Sequence, residues 1–488
     1  MKRETFGSRL GFILVSAGCA VGIGNVWKFP YMCGQFGGAA FILIYLVFLL
    51  IMGIPVMVCE FGVGRASRHS VAAAYETLEP KETKWHITKW IGVIGCYFLM
   101  MFYTTVGGWM LYYCVRSFRG DFVGADMKTV SAGFSDMLGN MPLMAFWTIL
   151  ICIIGFGVCA FGIQKGIEKV SKFMMTALLL IMIVLAIHSV MMKGAGAGIR
   201  FYLIPDFKQM AEIGIGNVIF GAMSQAFFTL SIGIGAMLIF GSYMEKDQRL
   251  FGDITVLDTI VALMAGFIII PACFAYGIEP GAGPSLIFIT IPNIFAQVAG
   301  GCVWGGLFFL FLSFAAFTTL VAVFENIISF DMDLFGWSRK KSTLVSLILI
   351  IILSMPCVMG FNVLAGFTPL GEGSTIMDLE DFIVSNNLLP LGSLGYVLFC
   401  TKKNGWGWNS FLEEINQGEG WKFPAGIKGY MSYGLPLLII IIYLKGYYDK
   451  FQPMGTKTLI GWMIVAFLFL AFVIGCSCGK STVEKVDK

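Results

Sequence analysis

Two short segments place glycine, hydroxyl and amide residues inside long apolar stretches. Segment 18–30 reads GCAVGIGNVWKFP, and segment 227–235 reads FFTLSIGIG. Such residues loosen a helix, and backbone groups freed at membrane depth must face protein, water or a ligand. Freed carbonyls together with Asn25, Thr229 and Ser231 suit a hard cation such as Na⁺, while freed N–H groups at the start of a half-helix suit a carboxylate. Paired interruptions in two halves of a chain are typical of the substrate site of a secondary transporter.

Acidic and hydroxyl residues elsewhere in apolar stretches extend this chemistry. A charge at the centre of a bilayer costs at least about 2.5–3.5 kcal/mol, so Asp258 is expected to be neutralised by a cation or a proton. Glu60 could instead have a purely structural role. Glu325 could instead form an ion pair or hydrogen bond within the helix bundle. Positions 315–319 form a small patch that carries two hydroxyl groups.

Close helix packing is the simpler interpretation of each small-residue segment taken alone. The spacing of Gly18 and Gly22, for example, is a common helix-contact motif in membranes. Because breaks of the same composition occur in both halves of the chain, binding is favoured over packing.

The composition excludes several classes of protein. Of the 488 residues 58% are hydrophobic and only 13% are charged, whereas soluble proteins carry roughly 25% charged residues. The net charge of +4 is too small to indicate nucleic-acid binding. The 13 cysteines lie mostly in apolar stretches and the three histidines are scattered, so neither a disulfide framework nor a metal cluster is expected. No cofactor is indicated, and the residues do not indicate an oligomeric state.

Twelve apolar stretches are long enough to span a bilayer, for which about 20 residues suffice. With the N-terminus inside, 23 of the 33 lysine and arginine residues lie on that side and nine on the other. Both termini are therefore expected in the cytoplasm, and the protein in the cell (inner) membrane. The pattern predicts an all-α polytopic protein with spans at 10–34, 39–64, 88–117, 143–163, 167–192, 214–241, 250–277, 301–332, 343–361, 376–400, 429–447 and 458–477.

Two connecting segments carry expectations of their own. Segment 278–300 has apolar residues and neither lysine nor arginine, so it is expected to fold back into the outer vestibule. Segment 404–425 contains Trp406, Trp408 and Trp421, which predicts an interfacial position in the headgroup layer.

Motifs along nearly the whole chain resemble those of the neurotransmitter:sodium symporter family, and in particular its bacterial leucine and multi-hydrophobic amino-acid transporters. A chance match to all of them is very improbable. The motifs are RLG at 9–11, AVGIGNVWKFPY at 20–31, Glu60 with Gly64-Arg65, Phe102-Tyr103 with Gly108-Trp109, GIEK at 166–169, FFTLS at 227–231, Tyr243 with Lys246-Asp247, and FAAFTT at 314–319.

The resemblance implies a leucine-transporter-type fold and Na⁺-coupled amino-acid symport by alternating access. Two inverted five-helix repeats would occupy 9–193 and 211–401, with the first and sixth helices broken at mid-membrane, and 402–488 would hold the last two helices and a cytoplasmic tail. The partners would be an amino acid, Na⁺ and the lipid bilayer.

The resemblance also assigns roles to residues. One sodium would be held by Ala20, Asn25, Thr229 and Asp258, and a second by Gly18, Val21, Ala315, Thr318 and Thr319. Lys28 and Asp381 would close the outer gate, and Arg3, Asp333 and Tyr243 the inner gate, with Phe6 and Ser242 nearby. The substrate would contact Ala20, Ile23, Gly24, Leu99, Tyr103, Phe228, Thr229, Ser231, Ile234, Thr319 and Val323, with Tyr103 on its carboxylate and Phe228 capping the pocket.

Departures from the family pattern refine these expectations. The leucine transporter has Asn where Asp258 stands and Glu where Ala262 stands, so one carboxylate is kept at a new position. Chloride-dependent relatives lack both carboxylates and borrow an anion, which predicts chloride-independent transport. Lys28 replaces the usual gate arginine and cannot form a bidentate pair. Thr176 replaces a proline at which relatives are thought to unwind the fifth helix, so that route is in doubt here.

The pocket residues point to the class of substrate. Monoamine carriers have an aspartate at the position of Gly22, whereas glycine leaves space for the carboxylate of an amino acid. The apolar lining includes Ile234 and Val323 in place of larger residues, which predicts a hydrophobic or aromatic amino acid and weak discrimination by size.

Three other functions fit the residues less well. A channel would need a continuous polar pore, and the polar residues are confined to two breaks. A transporter-like receptor would keep the pocket and lose the gates, yet both gate pairs are present. An enzyme is disfavoured because no nucleophile–base pair or phosphate loop is visible.

Overall fold

The computed structural model describes residues 6–244, 253–278, 280, 286–418 and 422–478, except the side chains of Arg9 and of residues 253–256. Within these ranges every regular element is helical and no β-strand occurs. Arg3, Lys246-Asp247 and Trp421 fall outside these ranges, so predictions on those residues lie outside the described chain.

Among the described residues, ten unbroken helical spans are long and apolar enough to cross a membrane, and a bent pair makes eleven. The tenth expected span, whose start is acidic, is among them. The unbroken spans are Ala39–Ser67, Trp85–Arg119, Met141–Ala160, Ile163–Val190, Leu257–Ala275, Gly301–Phe335, Arg339–Met359, Ile376–Thr401, Ala425–Met454 and Thr456–Ser477.

Shorter helices connect these spans. Their bounds are Val71–Leu78, Met127–Gly139, Ala195–Leu203, Phe207–Ile213, Ile291–Gln297 and Trp408–Ile415.

The first span is broken within the glycine-rich segment. Its inner half Arg9–Ala20 and outer half Gly24–Gln35 meet at an angle of 56°. The start of the outer half, Gly24–Lys28, is π-helical, and the Asn25 and Val26 N–H groups both donate to the Gly22 carbonyl. Three glycines in seven residues explain why an α-helix does not continue through this point.

A second break separates Ile215–Thr229 from Ala236–Ser242. Between them Ser231, Gly233 and Gly235 all have positive φ, of 50°, 104° and 81°. A Cβ atom on Gly233 would lie 2.2 Å from the Leu389 carbonyl oxygen, so only glycine fits there. Counting this pair as one span gives twelve, the number that hydropathy predicts.

Glu60 stabilises the second break and has the structural role considered for it. Its side chain is fully buried. Its two carboxylate oxygens accept from the Gly235 N–H at 2.5 Å and the Gly233 N–H at 3.4 Å. The carboxylate therefore replaces the helical carbonyls that these N–H groups lack.

Replacing Glu60 by alanine is expected to destabilise the fold. Each buried donor left without an acceptor costs about 1–3 kcal/mol, so the apparent Tm of the purified protein should fall by several degrees. Glu60→Gln keeps one acceptor oxygen and should lose less, and Glu76→Ala on an exposed helical face is the control. Equal Tm values for Glu60→Ala and the control would contradict this role.

The expected interfacial position of segment 404–425 is wrong for its two described tryptophans. Trp406 and Trp408 are 7% and 5% exposed, and both rings pack on Phe411. The Arg65 guanidinium, which is fully buried, pairs with the Glu414 carboxylate at 2.8 Å. The segment is thus anchored to protein by an ion pair and aromatic contacts that hydropathy does not reveal.

The described part of segment 278–300 folds inward, as expected. Residues 286–297 are helical and mostly buried. The Phe288 ring lies 5.9 Å from that of Trp27 and 5.7 Å from that of Trp109. This segment therefore forms part of the wall beside the outer half of the first span.

Candidate functional site

The two breaks face each other in the centre of the bundle. The Gln225 amide, one turn before the second break, donates to the Gly24 carbonyl at 2.9 Å and to the Thr229 hydroxyl at 2.9 Å. All three residues are buried. One side chain therefore joins segments 201 positions apart, and the groups freed at both breaks share one space.

The first predicted cation set is assembled around Asp258. The Asn25 amide donates to the Asp258 carboxylate at 2.7 Å and to its backbone carbonyl at 3.2 Å. Both side chains are fully buried, and Asn25 Oδ1 and Asp258 Oδ2 have no hydrogen-bond partner among the described residues. Thr229 ends the adjoining half-helix, and Ala20 ends the inner half of the first span.

Two buried oxygens without donors, one of them on a carboxylate, suit a small hard cation. Na⁺ prefers oxygen ligands, and a buried carboxylate needs a positive charge beside it. The donor set of Asn25, Thr229 and Asp258 therefore fits Na⁺.

The second predicted cation set converges on the Thr319 hydroxyl. Its oxygen lies 3.3 Å from the Gly18 carbonyl and 3.4 Å from the carbonyls of Val21 and Ala315. The Thr318 hydroxyl lies 3.1 Å from the Ala315 carbonyl. The structure thus brings all five residues together where the eighth span crosses the first break, with carbonyl and hydroxyl oxygens only.

Two hydroxyl groups lie close to Gly22 and suit a carboxylate. The Ile23 N–H donates to the Tyr103 hydroxyl at 3.0 Å, which leaves the hydroxyl hydrogen of Tyr103 free to donate. A Cβ atom on Gly22 would lie 2.6 Å from the Tyr103 oxygen and 2.7 Å from Thr319 Oγ1. A side chain at position 22 would therefore displace both hydroxyl groups.

The other predicted substrate contacts lie on the two breaks and on the third and eighth spans. The Phe228 ring lies against Gly24, where a Cβ would be 3.0 Å from it. Ile234 is buried, and its side chain packs on Gly95, one turn before Leu99 on the third span. Leu99 and Val323 are also buried, on the third and eighth spans, which pack along each other. Ser231 lies within the second break.

A cavity of about 250 Å³ adjoins this region and is lined by Ile23, Tyr103 and Phe228 among others. The predicted outer-gate residues Lys28 and Asp381 both line it but form no ion pair within 4.0 Å. The Lys28 ammonium lies 3.6 Å above the centre of the Phe228 ring, and the Asp381 carboxylate accepts from the Ser385 hydroxyl at 2.7 Å. The cavity is lined by Ile23, Trp27, Lys28, Tyr31, Phe102, Tyr103, Val106, Phe228, Met377, Asp378 and Asp381.

The opposite side is closed by polar and aromatic contacts. The Tyr243 hydroxyl donates to Glu325 at 2.7 Å, and Arg339 donates to both oxygens of that carboxylate at 2.7 and 2.8 Å. Glu325 is therefore paired within the bundle, as one alternative expected. Asp333 accepts from the Ser70 N–H at 2.7 Å.

Aromatic packing adds to this closure. The Phe6 ring packs 6.0 Å from that of Tyr243. Ser242, beside it, is buried and donates to the Ile239 carbonyl at 2.6 Å. Arg3 lies outside the described residues.

The fifth span bears on the predicted inner water route. Helix Lys169–Val190 is continuous through Thr176, whose hydroxyl donates to the Lys172 carbonyl at 2.8 Å. The expectation that this helix does not follow the unwinding route of the proline-containing relatives stays a prediction.

Gln225 belongs to the site, and Tyr45 is a buried polar residue, and the sequence pattern singled out neither of them. Gln225 is a buried amide four residues before Thr229, and its Oε1 has no partner among the described residues. The Tyr45 hydroxyl is buried and likewise unpartnered there. An amide one turn from a predicted ligand, inside an apolar helix, was the available signal for Gln225.

Comparison with known proteins agrees with this geometry. The profile of the sodium:neurotransmitter symporter family matches residues 3–130 and 121–478. The uncharacterized sodium-dependent transporter YhdH of Bacillus subtilis is 34% identical over 449 residues, which cover 91% of this chain and 98% of that protein. The sodium-dependent serotonin transporter of Drosophila melanogaster is 27% identical, over 94% of this chain and 78% of that protein.

A solved structure extends the similarity to the fold. The crystal structure of MhsT in complex with L-phenylalanine superposes with a TM-score of 0.81 at 36% identity, covering 91% of this chain and 100% of that one. Its fold is the all-helical arrangement that the motifs imply. By these matches the chain belongs to the sodium:neurotransmitter symporter family, whose members are sodium-dependent transporters and not enzymes.

Proposed function

We propose that the protein carries hydrophobic and aromatic L-amino acids into the cell together with Na⁺, by alternating access and without chloride. Asn25 is on the same broken span as Gly22, against which the Tyr103 and Thr319 hydroxyl groups pack. The observation that carries this proposal is the pair of unpartnered buried oxygens on Asn25 and Asp258. A cation held at those oxygens lies beside a carboxylate placed near Gly22. Binding of one therefore stabilises binding of the other, which is the thermodynamic basis of symport.

The substrate class follows from what surrounds that position. Ile23, Leu99, Phe228, Ile234 and Val323 offer only apolar side chains to the rest of the ligand. The likeness to MhsT, solved with L-phenylalanine at 36% identity, supports the same class here. Apolar pockets discriminate weakly by size, since one methylene is worth about 1–3 kcal/mol, so several such amino acids should be carried.

Alternating access would use the two repeats at 9–193 and 211–401, which cross at the breaks. The cavity beside Lys28 and Asp381 then leads to the outside, and the contacts of Tyr243, Glu325 and Asp333 close the cytoplasmic side. Closure of the outer side would bring Lys28 from the Phe228 ring to Asp381. This assignment of inside and outside rests on the distribution of lysine and arginine residues. That distribution predicts that both termini lie in the cytoplasm and that the protein lies in the cell's inner membrane.

Uptake by the purified full-length protein in proteoliposomes tests the proposal. With an inward Na⁺ gradient, labelled L-phenylalanine should accumulate above equilibrium, and collapse of the gradient should abolish accumulation. Binding without accumulation would mean a receptor, and current without saturation would mean a channel. Either outcome would overturn the proposal.

Removal of chloride is expected to leave uptake nearly unchanged. The Asp258 carboxylate already supplies the negative charge beside the first cation, so no anion is needed. The measurement compares initial uptake rates in sodium chloride and in sodium gluconate at equal Na⁺. A loss of most of the rate in gluconate would contradict chloride independence.

A further inference from the structure

A large groove lies between four spans, away from the central site. The spans are Trp85–Arg119, Ile376–Thr401, Ala425–Met454 and Thr456–Ser477, which are the third, tenth, eleventh and twelfth when the two broken spans are counted. The volume of the groove is about 790 Å³. We call it the lateral groove. Its walls include Trp90, Ile94, Phe98, Phe382, Leu391 and Leu468.

The walls of the lateral groove are apolar along its length. Two polar side chains in the wall, Asn387 and Tyr447, are hydrogen-bonded to each other. Water filling about 790 Å³ would find no partners there, because a buried water needs two to four polar groups. One end is lined by Trp462, whose ring stacks on Phe451 at 4.5 Å. The groove therefore suits an apolar occupant.

The dimensions of the lateral groove match one lipid chain. Along the last span its lining runs from Trp462 to Val473, eleven positions and about 16 Å of helix. Half of a bilayer's hydrocarbon core is about 15 Å thick. Ile94 and Leu468 in its walls are 43% and 66% exposed, so the groove opens sideways to the surrounding lipid.

Three lysines surround the end of the lateral groove on the face where the last span ends. Lys89 adjoins the lining residue Trp90, with its ammonium 5.9 Å from that ring. The Lys402 ammonium donates to the Ser477 hydroxyl at 2.8 Å, one turn past the groove lining. Lys84, just before the third span, is close enough to Cys476 near the end of the last span to act on it electrostatically.

None of these lysines forms an ion pair among the described residues. Among the described residues none of the three has a carboxylate within 4.0 Å, and nearby Glu79 is paired with His86 at 2.7 Å. Basic side chains at the mouth of an inter-helix pocket attract anionic lipid headgroups.

We propose that the lateral groove binds one anionic phospholipid, with an acyl chain in the groove and the headgroup at Lys84, Lys89 and Lys402. The groove walls include Phe98, next to Leu99, and Phe382, next to Asp381. The bound lipid therefore contacts the two helices that carry a predicted pocket residue and a predicted gate residue. This site is separate from the transport pathway, and its occupancy is measured without transport.

Native mass spectrometry of the detergent-purified full chain tests this proposal, with phosphatidylglycerol or phosphatidylcholine added. Wild-type protein should retain one phosphatidylglycerol in preference to phosphatidylcholine. Combined K84Q, K89Q and K402Q changes should weaken phosphatidylglycerol binding on the order of a hundredfold, as expected for three lysines at a membrane surface. The matched control is K165Q, K340Q and K341Q, exposed lysines on the same membrane face.

A second variant tests the groove itself. Ile94→Trp with Leu468→Trp fills the lateral groove and should abolish lipid retention. Leu344→Trp with Ile348→Trp, on an exposed face of the ninth span, should not. Retention unchanged in either test variant, equal binding of phosphatidylcholine, or a mass matching a second copy of the chain would each overturn the proposal.

Discussion

Asp258→Ala is expected to abolish Na⁺-dependent substrate binding. The variant removes the only carboxylate that the structure places among the described residues of the first cation set, and leaves Asn25 facing an uncharged cavity. Loss of one partner of a buried charge pair typically costs about 3–5 kcal/mol, so Na⁺ affinity should fall by at least about a hundredfold. The measurement is equilibrium binding of labelled L-phenylalanine to purified protein over a range of Na⁺ concentrations.

Two companion variants make this result specific. Cys273→Ala, at another buried position of the same helix, should keep the wild-type Na⁺ dependence. Asp258→Asn keeps the shape but loses the charge, so any remaining transport should depend on an added anion such as chloride. Unchanged Na⁺ affinity in Asp258→Ala would remove this residue from the cation site.

Gly22→Ala is expected to abolish amino-acid binding while leaving the fold intact. The new methyl group would lie 2.6 Å from the Tyr103 oxygen and 2.7 Å from Thr319 Oγ1, so it would displace the hydroxyl groups that are proposed to bind the substrate carboxylate. Steric crowding and the lost carboxylate hydrogen bonds together should weaken L-phenylalanine binding by about a hundredfold or more. Isothermal titration calorimetry with L-phenylalanine in saturating Na⁺ measures the change in affinity.

A glycine with open space around it supplies the control. Gly461 lies in the last span, and a Cβ atom added there would have no neighbouring atom within 4 Å, so Gly461→Ala should bind normally. Both variants should elute as monodisperse protein with similar Tm values. Wild-type affinity in Gly22→Ala would show that the carboxylate binds elsewhere.

The positions of the breaks could be predicted because the residues responsible are local. The glycines at positions 18, 22 and 24 destabilise a helix in any surroundings, and the first span is broken at that point in the structure. Asp258 could be predicted as functional because an unpaired carboxylate in an apolar stretch is costly in any fold. Hydropathy and charge therefore located both breaks and the buried carboxylate that the structure pairs with Asn25.

Tertiary contacts determine what the sequence did not reveal. Trp406 and Trp408 have the composition of a headgroup anchor, but both rings pack on Phe411, and the ion pair of Arg65 with Glu414 holds their segment against the protein. Gln225 bridges to Gly24 only because the two breaks meet in space. Lys28 rests on the Phe228 ring rather than on Asp381, a distinction of conformation that no residue pattern encodes.

An experimental density map of the protein in NaCl and L-phenylalanine tests the central claim most directly. We expect an ion peak among Ala20, Asn25, Thr229 and Asp258, touching the carboxylate of a ligand whose side chain points towards Ile234 and Val323. Continuous α-helix through residues 18–30 and 227–235, with the ligand bound elsewhere, would contradict it.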